Sequence, residues 1–155
     1  MLVEFDKISD NSRIWIYACE TELTNNQYDY ILEKLSNHLR NWEAHKVPLI
    51  AGVTILENHF IIVALDDSKN GASGCSIDTL QNKIQEIEKE LSISLLNRLN
   101  IFCKIEGVIK CIPINKLGDN ANKETLFYDI TIQKKSKLSN WLKPIEEGWC
   151  ASLIE

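Results

Sequence analysis

The chain has 155 residues, of which 45% are hydrophobic and 25% charged, and its formal net charge is -5 at pH 7. This length and composition are typical of one globular domain that buries a core without disulfides or metals. The acidic balance and the lack of a basic cluster argue against a nucleic-acid-binding face, and no apolar run reaches the ~20 residues that cross a bilayer.

The first predicted elements are a strand and a helix. Residues 1–12 mix apolar and acidic side chains and predict a loosely docked lead-in. The run from Arg13 to Cys19 is rich in β-branched and aromatic residues, which favours a strand. Thr24 and Gln27 have capping-box spacing, and apolar residues then recur at helical intervals, so we predict a helix over about 25–42.

A hairpin and a second helix follow. Leu49–Leu56 and Phe60–Leu65 are two strand-like runs joined by a short turn that lacks glycine. The clearest helical periodicity in the chain runs from Ile77 to about Leu95, and it places Lys83 on a solvated face. Ile101–Ile105 and Val108–Ile114 again favour strands.

This β-α-β-β-α-β order predicts an α+β, ferredoxin-like domain, in which a four-stranded antiparallel sheet carries two helices on one face. We expect a single domain over 1–155, with a core at about 13–114 and a C-terminal extension at about 115–155 packed on it. The extension predicts a strand at Leu126–Ile132 and a short helix at Lys137–Lys143 that Pro144 ends.

The stretch Asp66–Asp78 joins the third strand to the second helix and is the strongest candidate site. It resembles a phosphate-binding loop only in position, because Cys75 stands where the lysine of that motif is required. The chain also lacks a Walker B run and an LSGGQ-like signature. We therefore do not expect ATP hydrolysis, and we predict no cofactor.

Free backbone N–H groups at a helix start favour anions, so the stretch predicts a site for a small anionic ligand. On the plan above, the 43–48 connection lies at the same edge and adds a cleft wall. The predicted ligand-binding residues are Asp66, Ser73, Gly74, Ser76, Asp78 and Trp42. Ser76 and Asp78 are also candidate helix caps, and a carboxylate cap competes with an anion for the same donors.

Cys75 carries an alternative, because the start of a helix favours the thiolate form of a nearby thiol. The neighbouring acids Asp66, Asp67 and Asp78 act in the opposite direction, so the sequence does not fix which of the two effects prevails. His45 is expected at the same edge, and a Cys75 nucleophile with a His45 base would make the protein a small cysteine-dependent enzyme. These two residues with Asp66 or Asp78 lack compact metal-ligand spacing, so we predict no metal site. His38, one turn before Trp42, is expected at the helix surface or boundary.

The five cysteines are widely spaced and include no C-x-x-C pair, which favours free thiols in a reducing compartment. The acidic N-terminus lacks the order of a signal peptide, and we expect a cytoplasmic location.

Three segments carry a family resemblance: W-E-A-H-K-V-P-L, the strand ending in D-D-S, and A-S-G-C-S-I-D before an I-x-x-I-E-K-E helix. They resemble a small family of uncharacterised bacterial proteins of about this length, often labelled "ABC transporter ATPase". That label implies ATP hydrolysis. The matching residues here are Trp42, His45, Pro48, Asp66, Ser68, Ser73, Gly74, Cys75, Ser76 and Asp78.

Three hypotheses about function therefore stand beside one another. The first is a module that binds a small anionic ligand, acting in regulation; the second is the cysteine-dependent enzyme. The third is a non-catalytic interaction adaptor that pairs through an edge strand or a helix face. A homodimer is compatible with all three.

Overall fold

The computed structural model describes residues 1–154. It combines helices with antiparallel sheets, which confirms the predicted α+β class. The described residues group into two compact units, one formed by residues 1–96 and 133–136 and the other by 97–132 and 137–154.

The first unit is a three-stranded antiparallel sheet with two long helices and a small hairpin. Its elements in chain order are β1 (Arg13–Ala18), α1 (Asn25–Arg40), β2 (Glu43–Ala44), β3 (Val47–Pro48), β4 (Ile50–Leu56), β5 (Phe60–Asp66) and α2 (Gly74–Leu91). The sheet order is β1-β5-β4, and β2 pairs with β3 separately.

Both helices bury one apolar stripe in the same core. Leu35 and Leu39 of α1 and Ile84 of α2 are fully buried there, together with Val63 and Leu65 of β5. Alternate residues of β5 face this core, while the intervening ones are also buried, so the strand is covered on both faces. A continuous apolar run is the sequence pattern expected of such a strand.

The β4–β5 hairpin turns without glycine. Glu57 and Asn58 take φ values of 56° and 54°, and the His59 N–H donates to the Leu56 carbonyl. This is the mirror-image turn that matches the twist of paired strands. The predicted hairpin is therefore present.

The two edges of the first sheet are covered by other parts of the chain. Along β4, the Val3 N–H donates to the Ala51 carbonyl, and Leu2 bridges Ala51 in parallel. Along β1, the Ile14 N–H donates to the carbonyl of Gln133. The N-terminal residues are thus fastened to the sheet, which corrects the expected loose lead-in.

The second unit is built on a four-stranded antiparallel sheet, ordered β7-β6-β8-β9. Its elements in chain order are β6 (Asn100–Ile105), β7 (Val108–Pro113), the short helix α3 (Leu117–Asn120), β8 (Leu126–Tyr128) and β9 (Leu142–Pro144). Its core includes Cys103, Phe127 and Cys150.

The ferredoxin-like topology is not confirmed, because the strand order differs. β1, β5 and β4 take the relative order that this plan requires for its first three strands. The strand expected to complete the sheet, β6, pairs instead with β7 and β8. The place beside β1 is taken by residues 133–136. The hydrophobic periodicity of a segment predicts that it forms a strand, but it does not predict which other strand it pairs with, because pairing depends on packing between distant segments.

The C-terminal extension also differs from expectation. The predicted strand at Leu126–Ile132 ends at Tyr128, and a 3₁₀ helix over Lys135–Asn140 leads into β9 where a helix up to Lys143 was predicted. No helix in residues 1–154 is long and apolar enough to cross a membrane.

Candidate functional site

The start of α2 is closed by a reciprocal cap. Ser73 Oγ accepts from the Ser76 N–H at 3.1 Å, and Ser76 Oγ accepts from the Ser73 N–H at 2.7 Å. The helix therefore begins at Gly74, three residues before the predicted Ile77. The cap is Ser73, where Ser76 or Asp78 was expected, because S-x-x-S supplies both halves of the box.

This cap leaves few donors for a ligand at the helix start. Ser73 and Ser76 bond to each other, and Ser76 is buried. Gly74 and Cys75 occupy the first two helical positions and are exposed, so their N–H groups are those that a helix start leaves available. Asp78 is exposed one turn later.

The loop before α2 is held by side-chain hydrogen bonds. Asp66 accepts from both the Oγ and the N–H of Ser68, at 2.7 and 3.1 Å. Those bonds lower the pKa of Asp66. Asn70 Nδ2 donates to the Val47 carbonyl at 3.3 Å, which fastens the loop to β3.

The β2–β3 hairpin and this loop thus lie side by side. His45 sits at the tip of the hairpin with a φ of 53°, and Lys46 follows with 65°. His45 and Cys75 are both exposed, and in residues 1–154 neither side chain has a hydrogen-bond partner. Nothing in the geometry joins them, and the nucleophile–base pair stays a prediction.

Within residues 1–154, no group of three or more histidine, cysteine, aspartate or glutamate side chains is arranged to hold a metal ion.

Trp42 links the end of α1 to the start of α2. Its ring is 3% exposed, and Nε1 donates to the Ser76 carbonyl at 2.8 Å. Trp15 packs edge-on against it, with the ring centroids 5.8 Å apart. Thr79 Oγ1 donates to the same Ser76 carbonyl, so the first turn of α2 is held against the indole.

Beside Trp42 lies a groove of about 480 Å³ between the two helices. The helices run antiparallel, because Lys34 in α1 pairs with Glu90 at the end of α2, whereas Trp42, just after α1, contacts Ser76 at the start of α2. The residues that line this groove, here called the α1–α2 groove, are Lys34, Asn37, His38, Asn41, Trp42, Glu43, Thr79 and Lys83.

His38 is the least satisfied of these side chains. Its Nε2 atom is buried and has no hydrogen-bond partner. Burial lowers the pKa of His38, and the positive charge of Lys83 lowers it further, against the opposing effect of Glu86. The lowered pKa favours the neutral imidazole, in which one ring nitrogen donates a hydrogen bond and the other accepts one.

The two lysines of the groove come from opposite helices. Lys34 Nζ lies 3.4 Å from a carboxylate oxygen of Glu90, and Lys83 Nζ lies 2.8 Å from one of Glu86. The hydrogen bond from Lys83 lowers the pKa of Glu86. Ion pairs as exposed as these contribute little to stability, so a ligand anion competes with them at small cost.

The sequence predicted Trp42 as a site residue, but it did not predict its groove neighbours Lys34, His38 and Lys83. His38 was assigned to the helix surface or boundary and Lys83 to a solvated face. Lys34 and His38 are four residues apart, so they share the face of α1 that leads to Trp42. That spacing could have predicted Lys34 and His38 as neighbours of Trp42. Only the fold shows that α2 packs beside them and adds Lys83 to the groove.

The first unit has three candidate sites: the α1–α2 groove, the capped start of α2 and the tip of the β2–β3 hairpin. The α1–α2 groove is the one among them that combines a cavity, two ammonium groups and an unpartnered buried nitrogen. Comparisons with protein-family models, with curated proteins and with solved structures find no match to this chain.

Proposed function

We propose that this protein binds a small anionic ligand in the α1–α2 groove and acts as a ligand-binding, regulatory module. The observation that carries the proposal is the Nε2 atom of His38, which is buried without a partner in a groove of about 480 Å³. Buried polar atoms are nearly always hydrogen-bonded in native proteins, so an exception needs an explanation, and a molecule bound in the groove is the explanation proposed for His38.

The charges around the groove favour an anion. Two lysines line it against one glutamate, Glu43, and the carboxylates that pair with these lysines, Glu90 and Glu86, lie outside the lining, so an anion in the groove would compete with them for both ammonium groups. The amide groups of Asn37 and Asn41 add neutral donors on the side of α1. A phosphate or carboxylate placed between the helices would accept hydrogen bonds from both ammonium groups, and charge-assisted bonds of this kind are the stronger ones.

The predicted stretch Asp66–Asp78 contributes to this proposal by positioning the groove. Its serine cap fixes where α2 begins, and the Ser76 carbonyl holds Trp42. The indole in turn sets the end of α1 next to Thr79. The exposed N–H groups of Gly74 and Cys75 remain a secondary contact point for the same class of ligand.

A thermal-shift titration with inorganic phosphate, citrate and ATP tests the proposal. A ligand at about 100 times its Kd stabilises the folded state by about 2.7 kcal/mol, which for a chain of this size raises the Tm by about 5–10 °C. We expect at least one of the three anions to produce such a shift.

Three variants locate the binding site. Lys83→Gln and His38→Gln remove groove groups, whereas Lys89→Gln removes an exposed lysine of α2 outside the groove. The shift should persist in Lys89→Gln and fall in the other two. No shift with any anion, or equal shifts in Lys83→Gln and Lys89→Gln, would refute the proposal.

A further inference from the structure

The outer edge of β7 is an open sheet edge in the second unit. β7 has six residues and pairs only with β6 among the described strands, at one end of the sheet order. β9, at the other end, has three residues. Natural proteins usually cover a long edge, as this chain does with both edges of its first sheet. Among the strands of residues 1–154 that are six residues or longer, β7 is thus an edge strand with no strand paired to its outer side.

The hairpin register shows which backbone groups face outward. Ile105 and Val108 flank the two-residue turn Glu106-Gly107, so they form a hydrogen-bonded pair. Val108, Lys110 and Ile112 therefore bond to β6 through their backbones. Ile109, between Val108 and Lys110, directs its N–H and C=O away from β6. Pro113 lacks an N–H, as suits an edge strand.

A groove of about 450 Å³ runs along this edge. Its lining combines apolar side chains with two lysines and contains no acidic residue: Ile105, Lys110, Cys111, Ile112, Pro113, Lys116 and Asn120. Lys110 and Lys116 are exposed, and neither forms an ion pair within residues 1–154. In a chain of net charge -5, this groove is a local site of positive charge.

We propose that β7 binds an extended acidic peptide segment of a partner protein as an additional strand. Main-chain hydrogen bonds from Ile109 would hold the segment in register, and side chains on one face of it would enter the groove. Acidic residues at alternate positions would share the face of the sheet that carries Lys110 and would meet Lys110 and Lys116, while the intervening apolar residues would lie on the opposite face, with Ile109.

The charge of the groove is what selects this occupant. A second copy of the chain pairing through β7 would bring its own Lys110 and Lys116 to the same edge, and like charges across paired strands are destabilising. An acidic strand removes that repulsion and neutralises both lysines.

Fluorescence anisotropy with a labelled peptide tests the proposal. The probe is the alternating heptapeptide V-E-V-E-V-E-V, acetylated and amidated at its ends, and V-K-V-K-V-K-V is the charge-reversed control. We expect saturable binding of the acidic peptide that weakens as salt is added, and no binding of the basic one.

Two sets of variants separate charge from backbone pairing. The double variant Lys110→Glu/Lys116→Glu should weaken binding by about tenfold, because it replaces two exposed attractions with repulsions. Lys123→Glu/Lys137→Glu makes the same charge change at exposed positions outside the groove and should bind as the wild type does. Ile109→Pro removes the outward N–H without removing a bond to β6, and it should also weaken binding about tenfold.

The outcomes are distinct. Binding of the acidic peptide that Lys110→Glu/Lys116→Glu weakens, and the control double variant does not, supports the proposal even if Ile109→Pro fails to fold. No binding of the acidic peptide, or equal loss in both double variants, overturns it. Dimerisation that masks the edge in the wild-type protein, seen by analytical ultracentrifugation, would identify a second copy as the occupant and would also overturn it.

Discussion

Replacing Gly52 by alanine should detach the N-terminal segment from the sheet. Gly52 lies in the middle of β4, opposite Ala64. A Cβ atom there would stand 2.6 Å from the backbone oxygen of Val3 and 3.0 Å from Cδ1 of Ile8. A backbone oxygen at that distance has no rotamer to change, so the segment itself must move.

The cost follows from what the segment would lose. The Val3 N–H donates to the Ala51 carbonyl at 2.9 Å, and the Ala51 N–H donates to the Met1 carbonyl at 3.1 Å. Two such bonds are worth about 2 kcal/mol together. Repacking of buried Ile8 adds about 1 kcal/mol, and the greater backbone freedom of glycine in the unfolded chain offsets about 1 kcal/mol.

We therefore expect Gly52→Ala to lower the free energy of unfolding by about 2 kcal/mol. For a chain of this size the Tm should fall by about 4–8 °C. Urea unfolding followed by circular dichroism measures the change, and hydrogen exchange at the Ala51 amide reports whether the segment has moved.

Gly74→Ala is the matched control. A Cβ at Gly74 meets nothing within 4 Å, and the residue is the first of α2, where alanine is well tolerated. Its stability should stay within about 0.5 kcal/mol of the wild type. If Gly52→Ala proved as stable as Gly74→Ala, with the Ala51 amide still protected, the close approach of the segment would be refuted.

Two further predictions concern titratable side chains. Because burial and the charge of Lys83 lower the pKa of His38, the unfolded chain binds the proton more tightly, and stability should fall as pH drops through the window below about 6.5. Urea unfolding across this range should show a smaller loss in His38→Gln, and an equal loss would contradict the assignment. A native thiol titration should find one fast-reacting cysteine, Cys75, which is exposed, whereas burial and nearby Cys150 raise the pKa of Cys103 to about 11. The fast phase should disappear in Cys75→Ser, and its survival there would remove the basis for a cysteine-dependent enzyme.

Local features of the fold were predictable because their causes lie within a few residues. The box formed by Thr24 and Gln27 is present at the start of α1, and the apolar periodicity located both long helices. The start of α2 was placed three residues late. The apolar pattern begins only at Ile77, whereas the actual cap, Ser73, belongs to a polar stretch that has several candidate caps.

The candidate site was predictable in part for the same reason. The capped start of α2 and the position of Trp42 follow from local sequence, but His38 and Lys83 belong to helices that are brought together only by the core. From sequence, His38 is one polar residue of an amphipathic helix. Its buried, unpartnered Nε2 exists because α2 packs across it.

The sequence by itself determined the α+β class, the two long helices and the turns at Glu57-Asn58 and Glu106-Gly107, since periodicity, capping and turn chemistry act over short distances. Only the tertiary structure decided which strands share a sheet. The sequence of β6 fits a strand of either sheet. It lies between β7 and β8 because these two strands, which follow it in the chain, pair with it in the fold. Residues 133–136 pair along the edge of β1 because the fold brings their backbone beside it, a contact between segments more than 110 residues apart that no local pattern predicts.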